Sequence, residues 1–481
     1  MTIAALPVPS PTLLPRLRAV SGRAHLVGVC GSGMKGLAHL LVGLGWQVTG
    51  SDVSPLADTL HPLRARGFRF SHGHAAKHLP HDADVLIHSA AIGPENPERT
   101  AARELGISQM TYSQMLGRLM LDRQGVCVAG THGKSTTTAM TATILTDAGR
   151  QPSAIFGADL CSTGQSSWSG RGDLFVVESC EFQRSFLDLS PHCAAILGVE
   201  PDHFDCYHNP DELLAAFAAF AANVASSGYL LVRAEDVAAV EASRATKAEV
   251  LTFGWTGDAD WWADDVRSLG FGTRFRLFRR GQYVTEIQLD VPGRHNVMNA
   301  VAAAAMCSEL GVSASAIRHS LAEFSGLKRR FEVLGSWRGV TVIDDYAHHP
   351  TAVTSTLQTA RDLYGRRRIW AAFQPHQVGR TAALMSDFAR SFRLADRVVI
   401  APVYAARESV TDEPLRLAEE LARQVNGEGP PAMACNSLDQ LAGVLDDGLR
   451  PGDVLVTMGA GDIHRIHHAS TRRVQRHSAA G

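Results

Sequence analysis

Short apolar runs alternate with segments of helical periodicity over almost the whole chain, a rhythm that predicts an α/β protein with largely parallel sheets. Ala24–Cys30 reads as a first strand, followed by a glycine-rich turn and a helix through Leu44. Gln47–Gly50 and Asp84–His88 carry the pattern to about Arg123. A second unit opens with a strand at Gly125–Gly130 and a helix at Lys134–Ala148, then strands at Leu174–Glu178, Ala194–Gly198 and Tyr229–Val232. Within it, Phe271–Phe278 and Tyr283–Val291 alternate with period two, predicting an antiparallel appendage with its turn at Gly281-Gln282. Phe271, Phe275 and Leu277 fall on one face there, Arg274 and Arg276 on the other. A third unit starts near Glu332, with strands at Val340–Ile343, Ile369–Phe373, Arg397–Ala401 and Val454–Met458. The Ala-rich stretches read as helix surface.

Composition narrows the class. The 481 residues suggest about three domains, and 45% apolar with 20% charged residues excludes a disordered scaffold, a coiled coil and a collagen-like rod. Lys and Arg (46) nearly balance Asp and Glu (48), leaving no global field for nucleic acid or anionic lipid. The longest apolar run, Leu213–Ala222, is about half of what a membrane helix needs, so no membrane insertion is expected. The N-terminus, interrupted by Pro7, Pro9, Pro11 and Pro15, does not read as a secretory signal. Eight cysteines without a CxxC pair point to a reduced, cytoplasmic protein. The expected layout is a tail at 1–20, domains at 21–124, 125–331 and 332–463, and a basic tail at 464–481. A monomer or homodimer is expected.

The most informative segment runs Gly130-Thr131-His132-Gly133-Lys134-Ser135-Thr136-Thr137 between a strand and a helix. Backbone N–H groups at a helix N-terminus can cradle phosphate oxygens, Lys134 can bridge phosphates and Ser135 can ligate Mg²⁺. A strict Walker loop would have glycine at 128, where this chain has valine, so the loop is the shorter G-x-x-G-K-S. The plainer alternative is an empty helix N-terminus capped by Ser135. Earlier, Gly31-Ser32-Gly33-Met34-Lys35-Gly36 follows a strand and opens a helix, with Asp52 ending the next strand, as in a dinucleotide-binding turn. Glu178 ends a strand downstream of the phosphate loop, where a carboxylate can meet Mg²⁺ held by Ser135. His203, in Glu200-Pro201-Asp202-His203, reads equally as a surface loop or as part of a transition-metal site, and Glu181 is a further acid nearby. The His pairs at 72 and 74, 348–349 and 467–468 lack zinc-ligand spacing.

The phosphate loop resembles that of the Mur ligases, the ATP-dependent amide-forming enzymes of peptidoglycan synthesis. The resemblance runs from about His25 to Gly461. It includes the Gly31–Gly36 turn, Glu200–His203, Gly293-Arg294-His295-Asn296, Lys328-Arg329-Arg330-Phe331-Glu332, Asp344–Pro350, Phe373-Gln374-Pro375-His376 and Met458–Asp462. It implies three α/β domains: N-terminal Rossmann-like, a central P-loop-type mixed-sheet ATPase domain, and C-terminal Rossmann-like. It further implies ATP and Mg²⁺ as cofactors and, in the alanine-adding branch, a reaction joining the carboxylate of UDP-N-acetylmuramate to L-alanine through an acyl phosphate. The N-terminal turn (Gly31, Ser32, Gly33, Met34, Gly36), Asp52, His74 and Ser89 would then hold the UDP-sugar. Residues 130–136, Asn296, Arg330 and Asp345 would hold ATP, with Ser135, Glu178 and His203 on magnesium. His348, His376 and Arg380 would face the amino acid; catalysis would rest on Lys134, Glu178, His203 and Arg330.

Two departures stand out. The branch usually reads Glu-Ala-Asp-Glu-Ser-Asp where this chain has Glu178-Ser179-Cys180-Glu181-Phe182-Gln183, and arginines are replaced by Gln377 and Ala382. No lysine lies between His203 and Lys247, as in the alanine-adding branch. Three rival readings are a recycling ligase adding a tripeptide to the same sugar nucleotide, a catalytically silent UDP-sugar-binding protein, and a dehydrogenase, which would leave Gly130–Thr137 unexplained.

Overall fold

The computed structural model describes residues 22–406 and 413–467; the expected tail at 1–20 and most of the basic tail at 464–481 lie outside them. The described residues form three sheets. In the first, five parallel strands run in the order Arg69–His72, Gln47–Asp52, Arg23–Val27, Val85–His88, Ser108–Thr111. Strand order reverses between Arg23–Val27 and Val85–His88, so a crevice opens at their C-terminal ends, where ligands bind in such sheets. Two of these strands, Arg69–His72 and Ser108–Thr111, escaped the sequence reading because they are short and half-polar.

The helix Ser32–Gly43 buries Met34, Leu37, Leu40 and Leu41 against this sheet. Its glycines serve a different neighbour. A Cβ on Gly36 would lie 3.2 Å from Ile155 Cδ1 and one on Gly43 would strike Ser169, both in the central domain. Ser167 Oγ also donates to Gly36 O at 2.8 Å. Gly36, which a dinucleotide turn would use for helix–strand packing, here admits the second domain.

The central sheet has ten strands. Gln124–Ala129 lies between Cys193–Ile196 and Leu174–Glu178, all parallel, and Tyr229–Arg233 and Glu249–Gly254 extend it. Trp261–Leu269, Gly272–Arg279 and Gln282–Leu289 complete that edge as an antiparallel meander. The appendage is as expected, with Phe275 and Leu277 buried, but its turn sits at Arg280-Gly281 because Arg279 pairs with Gln282. Phe271 precedes the strand and is 41% exposed, so it leaves the apolar face.

Two helices, Lys134–Asp147 and Arg294–Glu309, pack together over this sheet. Ala302–Ala305 are fully buried, which corrects the reading of the Ala-rich stretch as helix surface. Methyl side chains are what let a helix fit between a sheet and a second helix. Thr138, Thr141, Thr143 and Thr146 donate to the carbonyl four residues back at 2.7–2.8 Å, so the Thr-rich helix is buried without orphaned hydroxyls.

The third sheet runs Glu332–Trp337, Val340–Asp345, Val454–Met458, Ile369–Phe373, Arg397–Ile400, Ala432–Ala434, parallel except for its first strand.

Candidate active site

The phosphate loop is fixed by backbone geometry. Gly130 and Gly133 have φ of 129° and 80°, a region side chains disfavour. A Cβ on Gly130 would lie 2.9 Å from Leu197 N, and one on Gly133 would strike Asn299 Oδ1. Thr131 Oγ1 accepts from Glu200 N at 2.9 Å and donates to Glu200 O at 3.1 Å, tying the loop to the next strand's exit. Lys134 Nζ donates to Gly130 O (2.5 Å), Thr131 O (3.2 Å) and Glu181 Oε1 (3.0 Å). Ser135 Oγ donates to Glu178 Oε1 at 3.0 Å, and Gly157 N to Glu178 Oε2 at 2.5 Å.

Glu181, a minor acid in the sequence reading, is 1% exposed and central to the site. Burial opposes its ionisation, but the Lys134 ammonium and His203 outweigh burial and hold its carboxyl at about 2. Reciprocally, burial pulls Lys134 down, while Glu181, Cys180 and Glu178 together raise it, so the ammonium stays charged. His203, expected beside Ser135 and Glu178, faces Glu181 at 3.6 Å, with a left-handed φ of 54°. Sustained positive φ at a non-glycine residue is strain of the kind found at functional sites.

The C-terminal domain reaches this loop at several points. Arg330 Nη2 is 3.4 Å from Ser135 Oγ, and its guanidinium lies 5.0 Å from the Tyr346 ring centroid. Arg329 instead turns inward to Asp344 and Gly459 O, at 3.0 and 2.6 Å. Arg329 and Phe331 both have positive φ, and the Arg329 guanidinium, like that of Arg330, lies by the Tyr346 ring, 5.2 Å from its centroid. Asp345 accepts from Phe331 N and Ala347 N, each at 2.7 Å; burial raises it to about 6 despite Arg330.

Arg380, expected to face the amino acid from a strand-to-helix loop, lies on the short helix Val378–Ala383, is 3% exposed and turns its guanidinium to Asp202 of the central domain at 2.7 Å. Its Nη1 also donates to His376 O at 3.2 Å. Burial opposes ionisation of Asp202, and Arg380 overrides it, holding Asp202 well below the usual carboxylate range. Burial, reinforced by Arg380, pushes His348 far down, toward the neutral ring. His376 stacks on Tyr404 at 5.6 Å, and the following Gln377, with φ of 70°, donates its N–H to Tyr404 O.

Glu200 makes a second crossing. Thr351 Oγ1 donates to it at 2.6 Å, His132 Nε2 lies 3.4 Å away and His349 Nδ1 3.7 Å. The ligating atoms of His132, Glu200 and His349 lie within 4.8 Å of one another, as do those of Cys180, Glu181 and His203. Spacing along the chain spoke only against zinc at the His clusters 72–74, 348–349 and 467–468; these two sets bring together residues up to 217 positions apart, and one of them contains His203, which the sequence left open as a metal ligand.

In the N-terminal domain, Ser32 Oγ donates to Gly157 O at 3.0 Å, next to the amide bound to Glu178. A Cβ on Gly33 would lie 3.1 Å from Tyr112 Cζ, so glycine leaves room for that ring, and Met34 is buried. Asp52 accepts from Cys30 N and Ser54 N, both at 2.8 Å, so its carboxylate braces the glycine-rich turn. Ser89 N donates to Val27 O beside that turn. His74 lies 3.1 Å from Ser51 Oγ and 3.2 Å from Glu98. Glu98 was missed: after Asn96-Pro97 it reads as a solvated first-turn acid, yet it is fully buried and also meets His25 and Ser51 Oγ, at 2.7 and 2.6 Å. Asn299 was missed as well. One turn beyond Asn296, it donates to Asn296 Oδ1 at 3.1 Å and accepts from Thr137 Oγ1 at 3.3 Å. Asn296 itself donates to Pro292 O at 2.7 Å.

A phosphate-loop domain between two open α/β domains, with Arg330 at the entry to the third standing beside the loop of the second, defines a multidomain nucleotide-using enzyme. Family models match all three parts: "Mur ligase family, catalytic domain" at 23–124, "Mur ligase middle domain" at 128–307 and "Mur ligase, glutamate ligase domain" at 329–461. The chain belongs to the Mur ligase family. It is 38% identical over 448 residues to the UDP-N-acetylmuramate–L-alanine ligase of Desulfitobacterium hafniense, covering 92% of this chain and 98% of that one. The protein of the same name from Salinibacter ruber is 39% identical over 459 residues, 95% of each chain. Among solved structures, the UDP-N-acetylmuramate–alanine ligase of Thermotoga maritima aligns over 96% of this chain and all of its own, with a TM-score of 0.78 and 27% identity. A murein peptide ligase from Psychrobacter arcticus aligns over 94% and 98%, with a TM-score of 0.69 and 25% identity.

Proposed function

We propose that this protein is an ATP-dependent ligase joining the carboxylate of UDP-N-acetylmuramate to L-alanine in peptidoglycan precursor synthesis. The observation that carries the reading is full-length similarity to alanine-adding ligases at 38–39% identity, combined with Lys134, Ser135 and Arg330 converging at one helix start. The tripeptide-adding alternative is not favoured, since the murein peptide ligase is the more distant match in identity and in TM-score. In this reading the sugar carboxylate attacks the γ-phosphate, ADP departs, and the amino acid's neutral amine displaces phosphate from the acyl phosphate.

The loop Gly130-Thr131-His132-Gly133-Lys134-Ser135-Thr136 would cradle the triphosphate, and Lys134 and Arg330 would stabilise charge on the transferring group. Asn296 and Asp345 would meet the adenosine. The hydrogen-bonded Ser135 hydroxyl and Glu178 carboxylate form a hard oxygen pair suited to magnesium, and His203, which faces Glu181, would complete the set. Magnesium would supply neutralisation of phosphate charge there. Gly31, Ser32, Gly33, Met34, Gly36, Asp52, His74 and Ser89 would form the UDP-sugar site at the crevice of the first sheet. His348, His376 and Arg380 would bound the amino-acid pocket, with His348 kept neutral.

The test is ligation with UDP-N-acetylmuramate and ATP, measuring kcat/KM for L-alanine, glycine, L-serine and the tripeptide. L-alanine is expected to be preferred, and Arg380→Ala is expected to raise its KM. A tripeptide that outcompetes L-alanine would overturn the substrate, and an unchanged KM would overturn the pocket.

A further inference from the structure

Beside Lys134, Cys180, Glu181 and His203 converge. Cys180 Sγ, a Glu181 carboxylate oxygen and a His203 ring nitrogen lie within 4.8 Å of one another, and Glu181 Oε1 is 3.6 Å from His203 Nε2. Zinc–sulfur bonds of about 2.3 Å and zinc–nitrogen bonds of about 2.0 Å place neighbouring tetrahedral ligands roughly 3.3–3.7 Å apart, so shifts of about 1 Å close this set on one ion.

The cluster is held from outside. Tyr207 Oη donates to Glu181 O at 2.6 Å. His203 N donates to Asp202 Oδ1 at 2.7 Å, and Asp202 is pinned by Arg380. Glu181 is 1% exposed, and its Oε2 accepts no hydrogen bond beyond the 2.9 Å ion-pair contact with Lys134. A thiolate, an imidazole and a carboxylate form a set that favours Zn²⁺, whereas Mg²⁺ demands hard oxygens.

We propose that Cys180, Glu181 and His203 form an inhibitory site for a thiophilic divalent cation, Zn²⁺, which draws His203 away from the Ser135–Glu178 magnesium pair. Binding exchanges the thiol proton for metal, Cys–SH plus Zn²⁺ giving Cys–S–Zn⁺ and H⁺, with no redox change. The ion takes the Glu181 carboxylate away from Lys134 and sets a second positive charge beside its ammonium, which drives that side chain out of position. The inhibition rests on the ligase reading; the binding does not.

The test uses the full chain, stripped of metal and titrated with Co²⁺ alone. Wild type is expected to develop a thiolate-to-cobalt charge-transfer band that Zn²⁺ bleaches, and Cys180→Ser and Cys180→Ala are expected to lack it. Competition with a chromophoric chelator is expected to show zinc affinity falling on the order of 100-fold in Cys180→Ser. With saturating magnesium, Zn²⁺ is expected to inhibit wild type reversibly, while Cys180→Ser retains turnover and resists. A cobalt band that survives Cys180→Ser, or zinc inhibition independent of Cys180, would overturn the site. A normal band in a protein that ligates nothing would support the site and overturn the ligase reading.

Discussion

Lys134 and Glu181 show how much one buried pair decides. The ammonium's three donors are taken by two loop carbonyls and a carboxylate, which aim it at the loop, so meeting phosphate oxygens means exchanging one of these contacts. Lys134→Ala is therefore expected to lower kcat by on the order of 10²–10³-fold or more, while UDP-sugar affinity, set in another domain, stays near wild type. Steady-state kinetics with isothermal titration of UDP-N-acetylmuramate checks both; near-normal turnover would remove Lys134 from the mechanism. The same pair predicts a stability signature. Glu181→Leu strands a buried ammonium and is expected to cost about 3–5 kcal/mol, whereas the double variant Lys134→Met/Glu181→Leu recovers much of that. Urea unfolding of the two singles and the double gives the coupling, and simple additivity would mean the pair is solvated.

At the scale of elements, the helix Ser32–Gly43 docks the first domain through its glycines. Gly36→Val places two methyl groups into Ile155 and is expected to destabilise by about 1–3 kcal/mol and to loosen the seam between domains. Faster amide exchange at residues 153–157 and 167–169 would report it; unchanged exchange would mean the helix does not need glycine there. The helix Pro97–Glu104 carries Glu98 into the first domain's interior. Burial opposes its ionisation, but bonds from His25, Ser51 and His74 outweigh it and lower its pKa. A depressed carboxylate adds stability that is present above its unfolded pKa of about 4.3 and lost as pH falls through the folded value. The stability gap between wild type and Glu98→Gln is thus expected to be full at neutral pH, about 1.5–3 kcal/mol, and to shrink below about pH 4. Denaturant melts across that range decide it, and a gap independent of pH would mean shape rather than charge.

Across the whole molecule, the third domain is fastened to the second by Asp202–Arg380 and by Glu200 with Thr351 and His349. These contacts join the two segments expected to carry metal and amino acid, so closing the domain and assembling the site are one event. Asp202→Asn leaves a buried guanidinium with a weaker partner. Small-angle scattering is expected to show a larger radius of gyration, with KM for L-alanine raised more than kcat is lowered. A compact variant with an altered kcat alone would place Asp202 in the chemistry instead.

The sequence by itself determined the α/β class, the principal parallel strands and the glycine-rich helix start from Gly130 to Thr137. Each is written locally: period-two and continuous apolar runs specify strands, and Gly-x-x-Gly-Lys-Ser at a helix start specifies a phosphate cradle. Local pattern did not reveal Glu181 or Glu98, because an acid's neighbours along the chain do not say whether water or a lysine stands opposite it. It also misplaced Phe271, whose strand begins one residue later, and Ala302–Ala305, whose small side chains suit a surface or a crowded interior equally. What only the tertiary structure decided is pairing: His203 with Glu181, Arg380 with Asp202, and Asn299 against Gly133. Those partners lie 22 to 178 residues apart, and electrostatics and packing act through space, at distances the fold alone sets.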